Sequence, residues 1–360
     1  MGQRIAVCAT QVPFVEGGAE ALAETLHQQL LARGFESALV TVPFAWTPRL
    51  RLLESALAWR LLTLGGPAGE PDLVIATRFP SYLIRHPNKV VWLVHQFRQV
   101  YDLLGTGWSD FGRSSRDRRI VELVRAMDAR AFSEARALYA ISSNVAERAR
   151  RHNGVEPAVL YPPPRLAERL EQGTPGDYVL AVGRLDQLKR FDLLIESLRL
   201  VETPVRCRIA GTGPERARLE ESIRRHRLES RVELLGRVGD DELVRLYRDC
   251  LAVFYAPYDE DFGFVTVEAF KAAKPILTAA DSGAVLELVR HDENGRIHPP
   301  GDAAAIARSL DLLWRDRDRA AELGRRGRAA VESIGWDGVI AALTGREAVP
   351  AAGGAGDARA

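Results

Sequence analysis

Short runs of β-branched and aliphatic residues alternate along this chain with longer stretches in which apolar side chains recur every three or four positions. The first texture marks strands buried on both faces, and the second marks amphipathic helices laid over them. The alternation therefore predicts parallel sheets covered by helices. In the first half the strand runs are Arg4–Ala9, Ala38–Val42, Asp72–Ala76, Val90–Val94 and Ala137–Ile141. A helix is predicted from Ala19 to Arg33, with Gly34 placed to end it, and another over Arg119–Phe132. Ser142-Ser143 stands where a helix over Val145–Arg151 needs a capping hydroxyl.

The pattern breaks at Tyr161-Pro162-Pro163-Pro164, which suits neither a helix interior nor a central strand, so a linker is expected near 160–176. A second alternation follows, with strands at Tyr178–Val182, Arg206–Ala210, Val232–Leu235, Leu251–Tyr255 and Pro275–Thr278. Two α/β halves of this texture predict a pair of Rossmann-like domains, 1–165 and 177–335. The tail 348–360 is mostly Ala and Gly, with single Val, Pro, Asp and Arg residues, and is expected to lack fixed structure.

A length of 360 residues suits two such cores. With 49 basic and 48 acidic residues the net charge is +1, so no global field argues for nucleic acid. Cys8, Cys207 and Cys250 lie far apart among apolar neighbours and read as core residues of a reducing compartment. The first ten residues lack the apolar core of a signal peptide, and Leu50–Leu64 is interrupted by Arg51, Glu54 and Arg60. The expected location is the cytoplasm. The basic run Arg113–Arg119 reads as a solvated loop.

The stretch Pro257–Leu288 is the richest in candidate chemistry. A buried strand ends at Pro257, a polar loop carries Glu260, and Phe262-Gly263-Phe264 opens a helix that reaches Glu268. Free N–H groups at such a helix start can hold anionic or hydroxyl oxygens, and Gly263 lets a ligand come close to the backbone. The spacing Glu260-x7-Glu268 around Phe262-Gly263 resembles the signature of family 4 retaining glycosyltransferases. The resemblance implies that Glu260 meets hydroxyls of the donor sugar and that Glu268 holds the nucleotide ribose, with Phe262, Gly263 and Phe264 lining the same pocket. Asp261 stands where the family usually has Gly, and Ser282-Gly283 where it often has two glycines.

Gly183-Arg184 and Lys189 resemble the element of that family whose Arg and Lys embrace the donor diphosphate. The chemistry is coherent in itself, because a planar fork and a compact cation stabilise the charge that gathers on a departing diphosphate. Gly17-Gly18 at the first strand-to-helix turn resembles the family's N-terminal glycine pair, with Gly18 close to the diphosphate and Gly17 toward the acceptor. His95 matches a cleft position near the sugar, and Gln96 and Arg98 follow it toward the acceptor. Gly211, Arg237 and Val238 lie in loops that resemble those around the nucleobase.

The resemblance implies a GT-B fold, with two facing Rossmann-like domains, an interdomain cleft and a last helix, about 336–347, returning to the first domain. It implies a metal-independent retaining hexosyltransferase without a resident cofactor. Its donor would be a UDP, GDP or ADP sugar, and its acceptor a hydroxyl compound of a bacterial cell-surface polysaccharide, glycolipid or glycoside. A lipid-linked acceptor and a peripheral contact with the inner face of the cell membrane both remain open. Three alternatives remain beside it. A sugar-nucleotide epimerase or phosphorylase shares the architecture, and a carbohydrate-binding protein needs no catalysis. Asp259-Glu260-Asp261 and Asp316-Arg317-Asp318 also read as D-x-D cation sites, the second lying on a charged helix surface.

Overall fold

The computed structural model describes residues 2–14, 17–67, 69–112 and 114–346; the expected unstructured tail, 348–360, lies outside them. The chain divides into two compact units, one formed by Met1–Pro162 with the segment from Gly335, the other by Pro163–Ile334. Among the described residues each unit is built on a six-stranded, wholly parallel sheet.

The first sheet contains β1 (Arg4–Gln11), β2 (Glu36–Pro43), β3 (Leu73–Arg78), β4 (Lys89–His95), β5 (Ala137–Ala140) and β6 (Ala158–Val159), in the order β2-β1-β3-β4-β5-β6. Every residue of β3 is buried, as the unbroken aliphatic run predicts for a strand covered on both faces. Gly34 follows the helix Gly18–Ala32 with a φ of 80°, and Ser142 Oγ caps the helix Ser143–Asn153 by accepting from Val145 N at 3.1 Å. The helix Trp336–Thr344 packs within this unit, where Tyr139 donates to Ala342 O at 3.1 Å and Trp92 meets Trp336 edge-on at 6.3 Å.

The second sheet contains β7 (Tyr178–Val182), β8 (Arg206–Ala210), β9 (Val232–Gly236), β10 (Ala252–Phe254), β11 (Ile276–Ala279) and β12 (Gly295–His298), in the order β12-β11-β10-β7-β8-β9. Counted within the unit this is the doubly wound order 3-2-1-4-5-6 reversed, whose direction of winding switches between β7 and β10.

Three sequence expectations change. The run Arg113–Arg119 is not a loop: the helix Ser115–Ser133 starts within it, because Ser114 Oγ accepts from Asp117 N at 3.1 Å. Arg113 itself lies outside the described residues. Asp316 owes its place to capping, since its carboxylate accepts from Arg319 N at 2.8 Å at the start of the helix Arg317–Ala330. The edge strands β6, only two residues long, and β12, which reads Gly-Arg-Ile-His, carry no strand pattern that the sequence reveals.

Two packing details generate predictions. The helix Arg317–Ala330 lies against the helix Phe264–Lys271 through buried Gly324 and Gly327; a Cβ at Gly324 would sit 1.9 Å from Ala273 O. Gly324→Val should therefore destabilise the second unit by about 2–3 kcal/mol, or prevent its folding, as measured by urea denaturation. In the first unit Asp128 is completely buried and accepts from Tyr101 Oη at 2.7 Å. Burial pushes its pKa from 3.8 up to about 7. The carboxyl's stabilising contribution is thus complete below pH 3.8, falls as the pH rises, and is gone above about pH 7. Asp128→Asn should accordingly gain about 1–3 kcal/mol on the wild type between pH 4 and 8, read from urea midpoints at the two ends.

Candidate functional site

The loops leaving β7 and β10 depart in opposite directions, which opens a crevice at the carboxyl end of the second sheet. The predicted donor residues of both rich segments gather there. After β7 the chain passes through Gly183 and Arg184 to a short 3-10 turn, Gln187–Lys189, capped by Asp186, whose carboxylate accepts from Lys189 N at 3.2 Å. The guanidinium of Arg184 is mostly exposed and donates to Asp186 Oδ2 at 2.9 Å.

Lys189 reaches across to the loop after β10. Its ammonium donates to Glu260 Oε2 and to Tyr255 Oη, the latter at 3.2 Å, and lies 5.4 Å from the centre of the Tyr255 ring. Burial by itself would lower the ammonium's pKa. The Glu260 carboxylate and the Tyr255 hydroxyl outweigh it, so the net shift is upward and Lys189 stays charged across the neutral range.

Arg190, in the left-handed region at φ 52°, holds the crevice wall together. It donates to Ala256 O at 2.6 Å and Pro257 O at 2.7 Å, and forms a two-pronged pair with Asp281, at 2.9 and 2.7 Å, in the loop after β11. Backbone bonds complete the stitching: Tyr258 N to Leu188 O at 2.8 Å, Asp259 N to Asp281 O at 2.9 Å and Ala284 N to Glu260 O at 2.9 Å. Glu260 is fixed at its backbone by one loop and at its carboxylate by another.

Gly263 stands at φ 81° just before the helix Phe264–Lys271, where a Cβ would lie 2.7 Å from the Tyr255 ring. Both the backbone conformation and the space demand glycine. Phe262 is buried and meets Phe264 edge-on at 5.4 Å. Glu268, one turn into the helix, accepts from Tyr247 Oη at 2.7 Å; desolvation raises its pKa against that hydrogen bond. Asp261 is buried beside this turn. Gly211 is required by the neighbouring backbone, since a Cβ there would sit 1.9 Å from Gly183 O. Past β9, Arg237 is exposed and Val238 half-buried.

The first unit holds the remaining candidates, which fall into two groups. Gly17 is the N-cap of the first helix and Gly18 its first residue; Gly17 supplies no side chain to the first turn, and Glu20 there pairs with Arg78 at the end of β3. His95 ends β4, half-buried, with Nδ1 2.8 Å from Gln96 O. Gln96 and Arg98, one and three positions on, are held within the unit. Gln96 is fully buried and donates to Asn153 Oδ1 at 2.6 Å, and Arg98 donates to Asp102 Oδ2 at 2.8 Å. Sequence reading set both toward an acceptor; their partners tie them into the unit's own framework.

Sequence reading gives Arg190, Asp281 and Tyr255 no role. A charged residue directly after Lys189 was the available signal for Arg190, but nothing in the chain pairs it with an acid 91 positions away. Among the described residues no group of three or more His, Cys, Asp or Glu side chains is arranged to hold a metal ion, and no helix is long and apolar enough to cross a membrane.

This geometry agrees with what the chain resembles. Residues 165–330 match the family model of glycosyl transferases group 1, so the second unit carries a domain of that kind. The chain has the GT-B fold. Sucrose-phosphate synthase from Thermosynechococcus elongatus is similar over 95% of this chain and 97% of its own, with a TM-score of 0.76 at 19% identity. Anabaena HepE, solved in complex with UDP and glucose, is similar over 95% of this chain and 100% of its own, with a TM-score of 0.69 at 19% identity. Among curated relatives, a D-inositol 3-phosphate glycosyltransferase of Streptomyces bingchenggensis is 29% identical over 57% of this chain and 51% of its own. The D-rhamnosyltransferase WbpZ of Pseudomonas aeruginosa is 28% identical over 44% of this chain and 41% of its own. The chain thus spans about half the length of the curated relatives it matches.

The Arg190 tie yields a prediction. Arg190→Lys keeps the charge but not the planar fork, and should cost about 1–3 kcal/mol of the second unit's stability in urea denaturation. Asp281→Asn, which keeps one acceptor, should cost less.

Proposed function

We propose that the protein is a retaining, metal-independent glycosyltransferase that moves a hexosyl unit from a nucleoside-diphosphate sugar to a hydroxyl acceptor. The observation that carries this reading is the meeting of Lys189 and Glu260, from different loops, at the switch point of a sheet whose domain matches glycosyl transferases group 1. An anion-holding cation and a hydroxyl-accepting carboxylate within contact of each other fit a diphosphate joined to a sugar. HepE, a fold relative, was solved with UDP and glucose, which supports the same ligand class here.

In this reading Arg184 and Lys189 neutralise the diphosphate as the glycosidic bond breaks, in place of a cation. Glu260 accepts from sugar hydroxyls and orients the ring. Glu268, on the helix that starts at Phe264, is assigned to the ribose, and the backbone around Gly263, Gly211, Arg237 and Val238 to the nucleotide. At the carboxyl edge of the first sheet, Gly18 is assigned to the diphosphate, and Gly17 and His95 to the acceptor side. The acceptor hydroxyl attacks the anomeric carbon from the face the diphosphate leaves, the carbon–oxygen bond to the diphosphate breaks, and the hydroxyl proton passes to the departing phosphate oxygen. The configuration is thereby retained. The D-rhamnosyltransferase and inositol phosphate glycosyltransferase relatives favour a role in bacterial glycan or glycoside synthesis.

The test is nucleoside-diphosphate release from a panel of UDP-, GDP- and ADP-sugars, with and without EDTA. Release from one donor class, unchanged by EDTA, is expected. Glu260→Ala should abolish turnover while nucleoside-diphosphate binding persists, and Lys189→Ala should weaken that binding about ten- to a hundredfold. Equal loss of turnover and binding in Glu260→Ala would remove the sugar-orienting role, and an inverted product by NMR would remove retention.

A further inference from the structure

Each cation of the donor segment already has a carboxylate of the same unit as its partner. Arg184 pairs with Asp186 at 2.9 Å, Arg190 with Asp281 at 2.7 Å, and Lys189 with Glu260. Two of these pairs can persist when a ligand arrives. Arg184 is largely exposed and keeps free N–H groups beyond the one on Asp186, while Arg190 spends its fork on the loop carbonyls and Asp281. The third is the pair that a diphosphate disturbs, because the compact Lys189 ammonium already gives two of its three N–H donors to Glu260 and Tyr255, and a diphosphate brought to it sets a second anion beside the Glu260 carboxylate.

We infer that Glu260 and Lys189 exchange partners when the donor binds: the diphosphate takes Lys189, and the carboxylate so released turns to the sugar hydroxyls. The inference rests on the donor-site reading above and adds a function that the reading alone does not contain. Paired with Lys189, Glu260 is the competitor of the diphosphate, both as a rival acceptor for the ammonium and as a like charge beside it. A complete donor offers hydroxyls that repay the displaced carboxylate. A bare nucleoside diphosphate, the product, offers none. The exchange therefore discriminates between donor and spent nucleotide and favours release of the product. Tyr255, buried and touching the ammonium through both hydroxyl and ring, is the positioning residue that keeps Lys189 aimed while its partner changes.

The experiment is titration calorimetry of the full chain with UDP, GDP and ADP, using the wild type, Glu260→Gln, Lys189→Met and the double variant. Glu260→Gln removes the rival charge and keeps the shape. It should bind the preferred nucleoside diphosphate about tenfold more tightly, which corresponds to about 1.4 kcal/mol. That gain should vanish on the Lys189→Met background. Should Glu260→Gln fold poorly, Glu260→Ala must move affinity in the same direction. Wild-type binding that Lys189→Met weakens but neither Glu260 variant tightens overturns the exchange and leaves the donor site standing. Absence of binding to all three nucleotides in every form overturns the donor-site reading itself.

Discussion

The site depends on one guanidinium. The loops after β7, β10 and β11 come from strands far apart in the chain, and loops of this length do not hold a fixed mutual geometry by themselves. Arg190 spans all three, with two carbonyls of one and the carboxylate of another on its planar fork. Its backbone, held in a left-handed conformation, then starts the helix Phe191–Leu198. The position of Lys189 relative to Glu260 follows from this, because each sits within a residue or a few of an anchored point. A preorganised pair of opposite charges is what electrostatic catalysis requires, and here the preorganisation lies one residue away from the cation it serves.

The strand order supplies the second constraint. The reversal between β7 and β10 leaves a gap at the carboxyl end of the sheet that no crossover covers. Into that gap the chain places a cation from one side and a carboxylate from the other. The packed glycines at 211 and 263 let neighbouring backbone and the Tyr255 ring come close enough to form its walls.

Much of this was legible in the order of residues. The central strands were visible because strands covered on both faces carry unbroken apolar runs, as in Leu73–Ala76 of β3 and Tyr178–Val182 of β7. Strands β6 and β12 were not, since β6 is only two residues long and β12 reads Gly-Arg-Ile-His, too little apolar sequence for a strand pattern to show. Lys189, Glu260, Gly263 and Glu268 were legible because each lies in a local motif with fixed spacing. The tie between Arg190 and Asp281 was hidden, because it exists only after the chain has crossed the sheet. The bonds of Gln96 to Asn153 and of Arg98 to Asp102 were equally hidden, because adjacency to His95 says nothing of which neighbours the folded chain brings to them.

The helix that follows Gly263 is backed by Gly324, against the backbone of Ala273 at its end, and by Gly327, against the ring of Phe270. Engineers who wish to alter sugar preference would find these two halves of the crevice unequal. The loop bearing Glu260 can accept new side chains at Tyr258 and Asp259, which are exposed or half-buried and whose backbone is held by hydrogen bonds to Leu188 and Asp281. The helix bearing Glu268 has no slack behind it, so any library that enlarges its inner face spends its variants on unfolded protein.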